Sequence, residues 1–543
     1  LFRHLDSQEN FVPVTLPHDA MQAEPRTELS ANGINGGWYE GRDYEYIRRF
    51  TPDKSLRSKT LMLEFEGVYH LAEVYLNGEK IAERPYGYTN FYADLTDRVR
   101  FDEENELRVI ARNSDQPNSR WYSGAGIYRP VVLWTADKQQ HIALNGVRIR
   151  TVSVNPATVE VAVRTVGAGR VSVDVLAGEK QVASAAADTT GEVTLTLTVP
   201  NAKLWDVEHP NLYTCRVRFG SDEDLQTFGI RTLSWGKKGI LLNGERVIVQ
   251  GACIHHDQGI LGARCYAQGE ECRVRLLKEN GYNAVRSAHN PCSKALLDAC
   301  DRLGMLMMDE YIDHWYIHKT EYDYVPYFDK WWKQDIADMV DKDYNHPCVI
   351  LYSTGNEVSE TAQKKGIQLT RELTDYLHSL DNTRPVTCGI NIFFNFLSSI
   401  GFGVYSDEKA KKEAEKASRK LPESELTDDA RHSITVLRRA KEYLEAKPEI
   451  ADELSAAERR KRAQLQSKPV YRYVALAIFV MGIVSAAYGL YAVTNHTGGY
   501  GIYFALFGFA AIFLFSSYNM LPTAHNNHSA IMKRAEKAEA AMA

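Results

Sequence analysis

The order of hydrophobic and polar residues changes character several times along the chain. Up to about residue 235, short runs of β-branched and aromatic residues are separated by Gly, Asn, Asp and Pro, as in 61–68 and in 72–76 before Asn77-Gly78. This alternation predicts half-buried strands, and Asn-Gly favours a tight hairpin turn. We therefore predict two β-sandwiches, one over residues 1–136 and one over residues 137–234.

After Asn243-Gly244 the pattern becomes an alternation of strands and helices, which predicts a parallel sheet or barrel over residues 235–405. The predicted strands are 247–251, 283–286, 305–309, 349–353 and 386–388, with helices near 271–280 and 293–303. Residues 241–403 hold only these five strands, whereas an eight-unit barrel typically needs about 250 residues. We therefore expect a partial (β/α)8 barrel with two unpaired sheet edges. Pairing with another chain, and hence an oligomer, is one way to cover them.

The last part of the chain has two further patterns. Residues 406–468 are dense in Lys, Glu, Arg and Ala, which predicts solvent-exposed helices. Residues 469–520 contain the apolar stretches 474–493 and 500–515, which predict a transmembrane helical hairpin, followed by a polar tail over 521–543. A buried hairpin in a soluble domain is the alternative. Basic residues flank both outer ends, so the positive-inside rule places both ends in the cytoplasm. The rest of the chain is then also expected in the cytoplasm, provided that no missing N-terminal signal exports it.

The composition of the chain limits the kinds of partner and the cellular location that we expect. A net charge of −6 over 543 residues leaves no broad basic surface, so we expect no nucleic-acid partner. The eight cysteines form no C-x-x-C pair, which favours reduced thiols and fits a membrane-associated protein whose folded part is cytoplasmic. Residue 1 is Leu, so we expect the N-terminus to be incomplete.

The segment with the clearest chemistry is the strand 349–353, which follows Asn345-His346-Pro347 and leads to Gly355-Asn356-Glu357. An apolar strand here delivers two polar side chains at its C-terminal end, the face on which barrel enzymes place their chemistry. The alternative interpretation of Glu357 is an exposed carboxylate at the end of a strand, with no catalytic role.

In this setting, the segment resembles the acid/base motif of glycoside hydrolase family 2, and the chain resembles that family over about residues 1–405. The resemblance implies that Glu357 is the acid/base carboxylate of a retaining mechanism and that Asn356 binds the sugar 2-hydroxyl. It also implies that Arg286, His289 and His255, at the ends of the second and first barrel strands, line the sugar site. A structural role remains open for both histidines. The acidic pair Asp309-Glu310 could support the site or bind a cation, but without metal-ligand spacing we expect no metal, and no cofactor.

The upstream motifs agree with the same family. Segments 41–50, 65–68 and 120–129 resemble its sugar-binding jelly-roll domain, and 204–213 and 228–232 resemble its immunoglobulin-like domain. For Trp121 we favour packing between domains over direct substrate contact, because large aromatics mostly serve burial.

One expected feature is missing. Retention needs a second carboxylate about 5–5.5 Å from the first, and in this family it ends the seventh barrel strand. We find no such nucleophile. We therefore expect a truncated or fused gene product whose glycosidase module is catalytically impaired. The predicted function is therefore a β-glycosidase acting on a β-linked sugar, most simply a β-galactosidase, with β-glucuronide or β-mannoside as alternative substrates. Its alternatives are a membrane-tethered carbohydrate-binding protein without turnover, or a protein whose C-terminal hairpin carries the function.

Overall fold

The computed structural model describes residues 1–5, 7–399 and 403–418. The predicted hairpin over 469–520, the tail over 521–543 and most of the charged segment over 406–468 lie outside these residues. Within the described residues, no helix combines the length and apolar character needed to cross a bilayer.

The first β-sandwich packs a five-stranded antiparallel sheet, of order β1-β2-β7-β4-β5, against a three-stranded one, of order β6-β3-β8. Its strands are β1 (Phe2–His4), β2 (Tyr44–Phe50), β3 (Lys59–Phe65), β4 (Ala72–Leu76), β5 (Glu79–Arg84), β6 (Phe91–Asp94), β7 (Asn105–Ala111) and β8 (Val131–Asp137). Alternation decides which face is buried: in β4, Ala72, Val74 and Leu76 point into the core. Asn77 and Gly78 both have positive φ, as the predicted tight turn requires.

The second sandwich has sheets of order β13-β10-β9 and β12-β11-β14-β15. Its strands are β9 (His141–Val154), β10 (Ala157–Val166), β11 (Gly169–Ala177), β12 (Lys180–Thr189), β13 (Glu192–Thr198), β14 (Tyr213–Phe219) and β15 (Asp222–Phe228). Alternate valines of β10 and β11 are fully buried between the two sheets, so β-branched side chains fill this core.

A small antiparallel sheet then leads to the parallel one. It comprises β16 (Leu233–Gly236), β17 (Gly239–Leu242) and β18 (Glu245–Arg246). The five parallel strands, in sequential order, are β19 (Gly251–Ile254), β20 (Ala284–Ser287), β21 (Leu306–Glu310), β22 (Val349–Asn356) and β23 (Val386–Gly389). The helices are α1 (Ala267–Glu279), α2 (Lys294–Leu303), α3 (Val325–Asp343), α4 (Lys364–Leu380), α5 (Ile392–Ser399) and α6 (Asp407–Ser418).

The predicted first strand of this sheet is wrong in its position. Residues 247–250 form no strand, and the backbone joins the sheet only at Gly251. The side chain of Asn283 binds this segment instead, donating to the Ile248 carbonyl and accepting from the Gln250 N–H. Ile248 and Val249 are exposed, so their apolar character did not indicate burial in the sheet.

Candidate active site

Strand β22 carries the pair of residues on which the site is built. Most of its residues are buried, and at its end the Asn356 N–H donates to the Ile312 carbonyl at 3.0 Å. Glu357 follows with a φ of 44°, in the left-handed region that costs a non-glycine residue about 1–3 kcal/mol. This turn leaves Glu357 partly exposed, and its Oε1 accepts a hydrogen bond of 3.0 Å from Asn391 Nδ2.

Arg286, at the end of β20, connects the ends of three strands. Its Nη2 lies 2.7 Å from both carboxylate oxygens of Glu310 and donates to Asn356 Oδ1 at 2.9 Å. Glu310 has no exposed surface and also accepts from the Ser353 hydroxyl at 2.6 Å. Of the acidic pair Asp309-Glu310, Glu310 therefore supports the site.

Asp309 lies elsewhere, in a buried charged cluster. It accepts from the Ser287 hydroxyl at 2.5 Å and from Lys342 Nζ at 3.0 Å, and Lys342 also pairs with Asp343. Burial raises the pKa of Asp309, but the charge of Lys342 outweighs burial and holds this pKa below its usual range. Asp309 therefore ties the sheet to α3 and not to a ligand.

The two predicted histidines lie together with Trp121. His289 Nδ1 is 2.8 Å from Glu310 Oε1, and its ring centroid lies 5.3 Å from that of His255. The Trp121 ring is 5.1 Å from the His255 ring and 5.3 Å from the His289 ring. Burial and the neighbouring His289 lower the pKa of His255, and His255 Nδ1 has no hydrogen-bond partner among the described residues. Trp121 thus belongs to the wall of the site as well as to the domain junction.

A second group of charged residues, which the sequence did not single out, adjoins Asn356. Asp313 accepts from Asn356 Nδ2 at 2.8 Å, from Lys319 Nζ at 3.0 Å, and from Arg120 at 2.6 and 2.9 Å. Arg120 comes from the first sandwich, 193 residues before Asp313. Two indirect signals were present in the sequence: Asp313 lies shortly after a strand end, and Arg120 begins the segment 120–129 that resembles the jelly-roll domain.

A cavity adjoins this group between the first sandwich and the loop that follows β21. Its volume is about 40 Å³, and its walls include Tyr86, Tyr88, Asn118, Arg120 and Lys319. Since one water molecule needs about 10–15 Å³ of such volume, the cavity has room for a few water molecules and not for a sugar. It adjoins the site through Arg120, Asp313 and Lys319, which are all part of its wall.

The described residues contain no counterpart of a nucleophile on a seventh strand. Within residues 1–5, 7–399 and 403–418, the parallel sheet ends at β23 and only α5 and α6 follow. Two other carboxylates lie close to these strand ends. Glu310 is fully buried and engaged by Arg286, His289 and Ser353. Asp313 is buried and engaged by Arg120, Lys319 and Asn356, so neither carboxylate is placed to attack a sugar.

Family models match three consecutive parts of the chain. Residues 7–149 match a "Glycosyl hydrolase 2 galactose-binding domain-like" model, residues 132–231 a "Glycosyl hydrolases family 2" model, and residues 235–455 a "Glycosyl hydrolases family 2, TIM barrel domain" model. The matches follow one another in the order of the two sandwiches and the parallel sheet.

Individual proteins also resemble the chain. A β-galactosidase of Bacteroides ovatus is 36% identical over 428 residues, which are 69% of this chain and 50% of that protein. A β-glucuronidase of Bacteroides fragilis is 27% identical over 374 residues, covering 62% and 52%. The crystal structure of a glycosyl hydrolase family 2 member from Bacteroides cellulosilyticus has a TM-score of 0.67 at 35% identity, covering 71% and 54%. The chain thus spans about half the length of these relatives.

Proposed function

The chain belongs to glycoside hydrolase family 2, and from this premise we propose that it is a retaining β-glycosidase whose substrate is a β-galactoside. The observation that carries the proposal is the placement of Glu357 at the end of β22, directly after an Asn356 amide held by Arg286.

Glu357 has the chemistry that glycoside cleavage requires. The glycosidic oxygen is a poor leaving group, so a carboxylic acid must protonate it as the bond breaks. A partly exposed Glu357 can reach a substrate, deliver this proton and later take one from water. Asn356, beside it, would hydrogen-bond the 2-hydroxyl, an interaction that strengthens as the oxocarbenium-like transition state forms.

The charges of the site favour a neutral sugar over a uronide. Among the described residues around Asn356, Arg286 is paired with Glu310, and Arg120 and Lys319 share Asp313. Glu357 also interacts with Arg120, so the three cations of this group face three carboxylates, and a uronide carboxylate would find no surplus cation among these described residues. We expect an aryl β-galactoside to be hydrolysed faster than the matching aryl β-glucuronide, and the reverse order would contradict this assignment.

The role of Glu357 is tested with the full chain and an aryl β-galactoside. Glu357→Gln is expected to lower kcat by about 10²–10⁴, because the amide cannot donate the proton that general acid catalysis requires. The matched control is Glu271→Gln, which changes an exposed glutamate of α1 paired with Arg302 and should leave kcat unchanged. Equal turnover in Glu357→Gln and wild type would contradict the proposal.

Carbohydrate binding without turnover is a second candidate function. It is favoured by the described parallel sheet, which ends at β23 without a second free carboxylate beside Glu357. Binding of methyl β-galactoside, measured by calorimetry, with no hydrolysis of the aryl glycoside would support this candidate. Hydrolysis that disappears in Glu357→Gln would rule it out and require a nucleophile from elsewhere in the protein. Whether a membrane tether accompanies either function depends on residues 469–520, outside the described part.

A further inference from the structure

Two different residues hold the side-chain amide of Asn356, one on each side. Arg286 Nη2 donates to its oxygen at 2.9 Å, and its nitrogen donates to Asp313 Oδ1 at 2.8 Å. An amide nitrogen carries two N–H groups, and Asp313 takes one of them. The second N–H is the donor available for a ligand at the end of β22.

The ionisation of Asp313 determines which way this amide points. Burial raises the pKa of Asp313, but Lys319 and Arg120 outweigh burial and hold this pKa well below its usual range. The carboxyl group of Asp313 is therefore an anion at neutral pH. A carboxylate only accepts hydrogen bonds and a guanidinium only donates them. The nitrogen of Asn356 must therefore face Asp313 and its oxygen must face Arg286.

Arg120 in turn holds Asp313 in place. It makes a two-pronged contact, from Nε to Oδ2 at 2.9 Å and from Nη2 to Oδ1 at 2.6 Å. Its Nη1 donates to the Tyr405 hydroxyl at 2.9 Å, so all three nitrogens of the guanidinium are engaged. A planar fork with this many contacts fixes direction, which a lysine ammonium does not.

We propose that Arg120, supplied by the first sandwich, is a positioning residue of the glycosidase site: through Asp313 it directs the Asn356 amide toward the 2-hydroxyl of the substrate. This inference rests on the proposed function. It assigns the sandwich domain a part in the reaction, because the arginine that orients an amide on the parallel sheet belongs to a different domain.

The test compares an aryl β-galactoside with its 2-deoxy analogue, using the full chain. In Arg120→Met, kcat/KM for the 2-hydroxy substrate is expected to fall about tenfold relative to the 2-deoxy substrate, the value of one well-placed hydrogen bond. Arg120→Lys keeps the charge without the fork and is expected to recover part of this ratio. The matched control is Arg148→Met, which removes another arginine that crosses to the parallel-sheet domain, at Asp341, away from Asn356.

Each outcome separates this inference from the proposed function. An equal fall for both substrates in Arg120→Met, as expected from a loss of folding alone, would overturn the positioning role. Failure of the wild type to hydrolyse either substrate would contradict the proposed activity instead. In that case the crystal structure of Arg120→Met tests the inference. If Asn356 Nδ2 still lies about 2.8 Å from Asp313, the inference is overturned. If the Asn356 amide has turned away from Asp313, the inference is supported.

Discussion

At the scale of single residues, the site depends on charges that are buried in pairs. Glu310 has no exposed surface, and Arg286 supplies the cation that neutralises it, while His289 and Ser353 complete its hydrogen bonds. Such a pair contributes little net stability compared with apolar residues, but removing one partner leaves a buried charge uncompensated.

Arg286→Met is therefore expected to lower the free energy of unfolding by about 3–5 kcal/mol. The comparison is Arg49→Met, which removes an arginine from an exposed pair with Glu106 and should cost less than about 1 kcal/mol. Urea denaturation followed by tryptophan fluorescence gives both values. Equal losses in the two variants would show that Glu310 does not depend on Arg286 for its charge.

At the scale of elements, three successive backbone N–H groups of the loop after β21 are bound by one carboxylate. Glu360 Oε1 accepts the backbone N–H groups of Trp315, Tyr316 and Ile317 at 3.0, 2.9 and 3.0 Å. Glu360 is 1% exposed and lies three residues after Glu357. The same turn that presents Glu357 thus anchors the loop that carries Asp313.

Glu360→Gln is expected to speed hydrogen exchange at the amides of 315–317 by roughly tenfold or more. Hydrogen bonds to a charged acceptor contribute about 1.5–3 kcal/mol, and the neutral amide loses much of this. Glu372→Gln, at an exposed position of α4, is the matched control. Unchanged exchange in Glu360→Gln, measured by mass spectrometry, would mean that other contacts hold the loop.

At the scale of the whole described part, arginines of both sandwiches reach the parallel-sheet domain. Arg129 donates to the Pro291 carbonyl and Arg231 to the Pro347 carbonyl, while Arg84 pairs with Asp335 and Asp338 of α3. The Asn-His-Pro segment before β22 also belongs to this junction, since Asn345 bonds to the backbone of β9. These contacts position the two sandwiches on the domain that carries Glu357.

The junction at Arg84 predicts a pH dependence of stability. Burial raises the pKa of Asp338 to about 6, against the opposing charge of Arg84. Between about pH 4 and 6 the folded state then binds more protons than the unfolded state, so stability falls as pH rises through this window. We expect wild type to lose on the order of 2–3 kcal/mol relative to Asp338→Asn across it.

Urea denaturation of both proteins at several pH values measures this difference. Asp97→Asn, which changes a largely exposed residue paired with Lys138, should run parallel to wild type. Parallel curves for wild type and Asp338→Asn would contradict the raised pKa of Asp338.

Local sequence patterns were sufficient to predict most of the helices and strands. Alternating apolar positions located β4 and the valine-rich strands of the second sandwich, and Ser293 was predicted at the start of α2, where its side chain accepts from the Leu296 N–H. The apolar run before Gly355 placed Asn356 and Glu357 at a strand end. These features depend on residues a few positions apart, so periodicity and capping chemistry are enough to predict them.

The sequence by itself therefore determined the strands, the family motifs and the candidate acid Glu357. Only the tertiary structure decided that Arg120 meets Asp313, that Glu310 and not Asp309 faces the site, and that β19 begins at Gly251. The physical reason is distance along the chain. An ion pair between residues 193 positions apart leaves no local periodicity, because it forms only where two domains pack together.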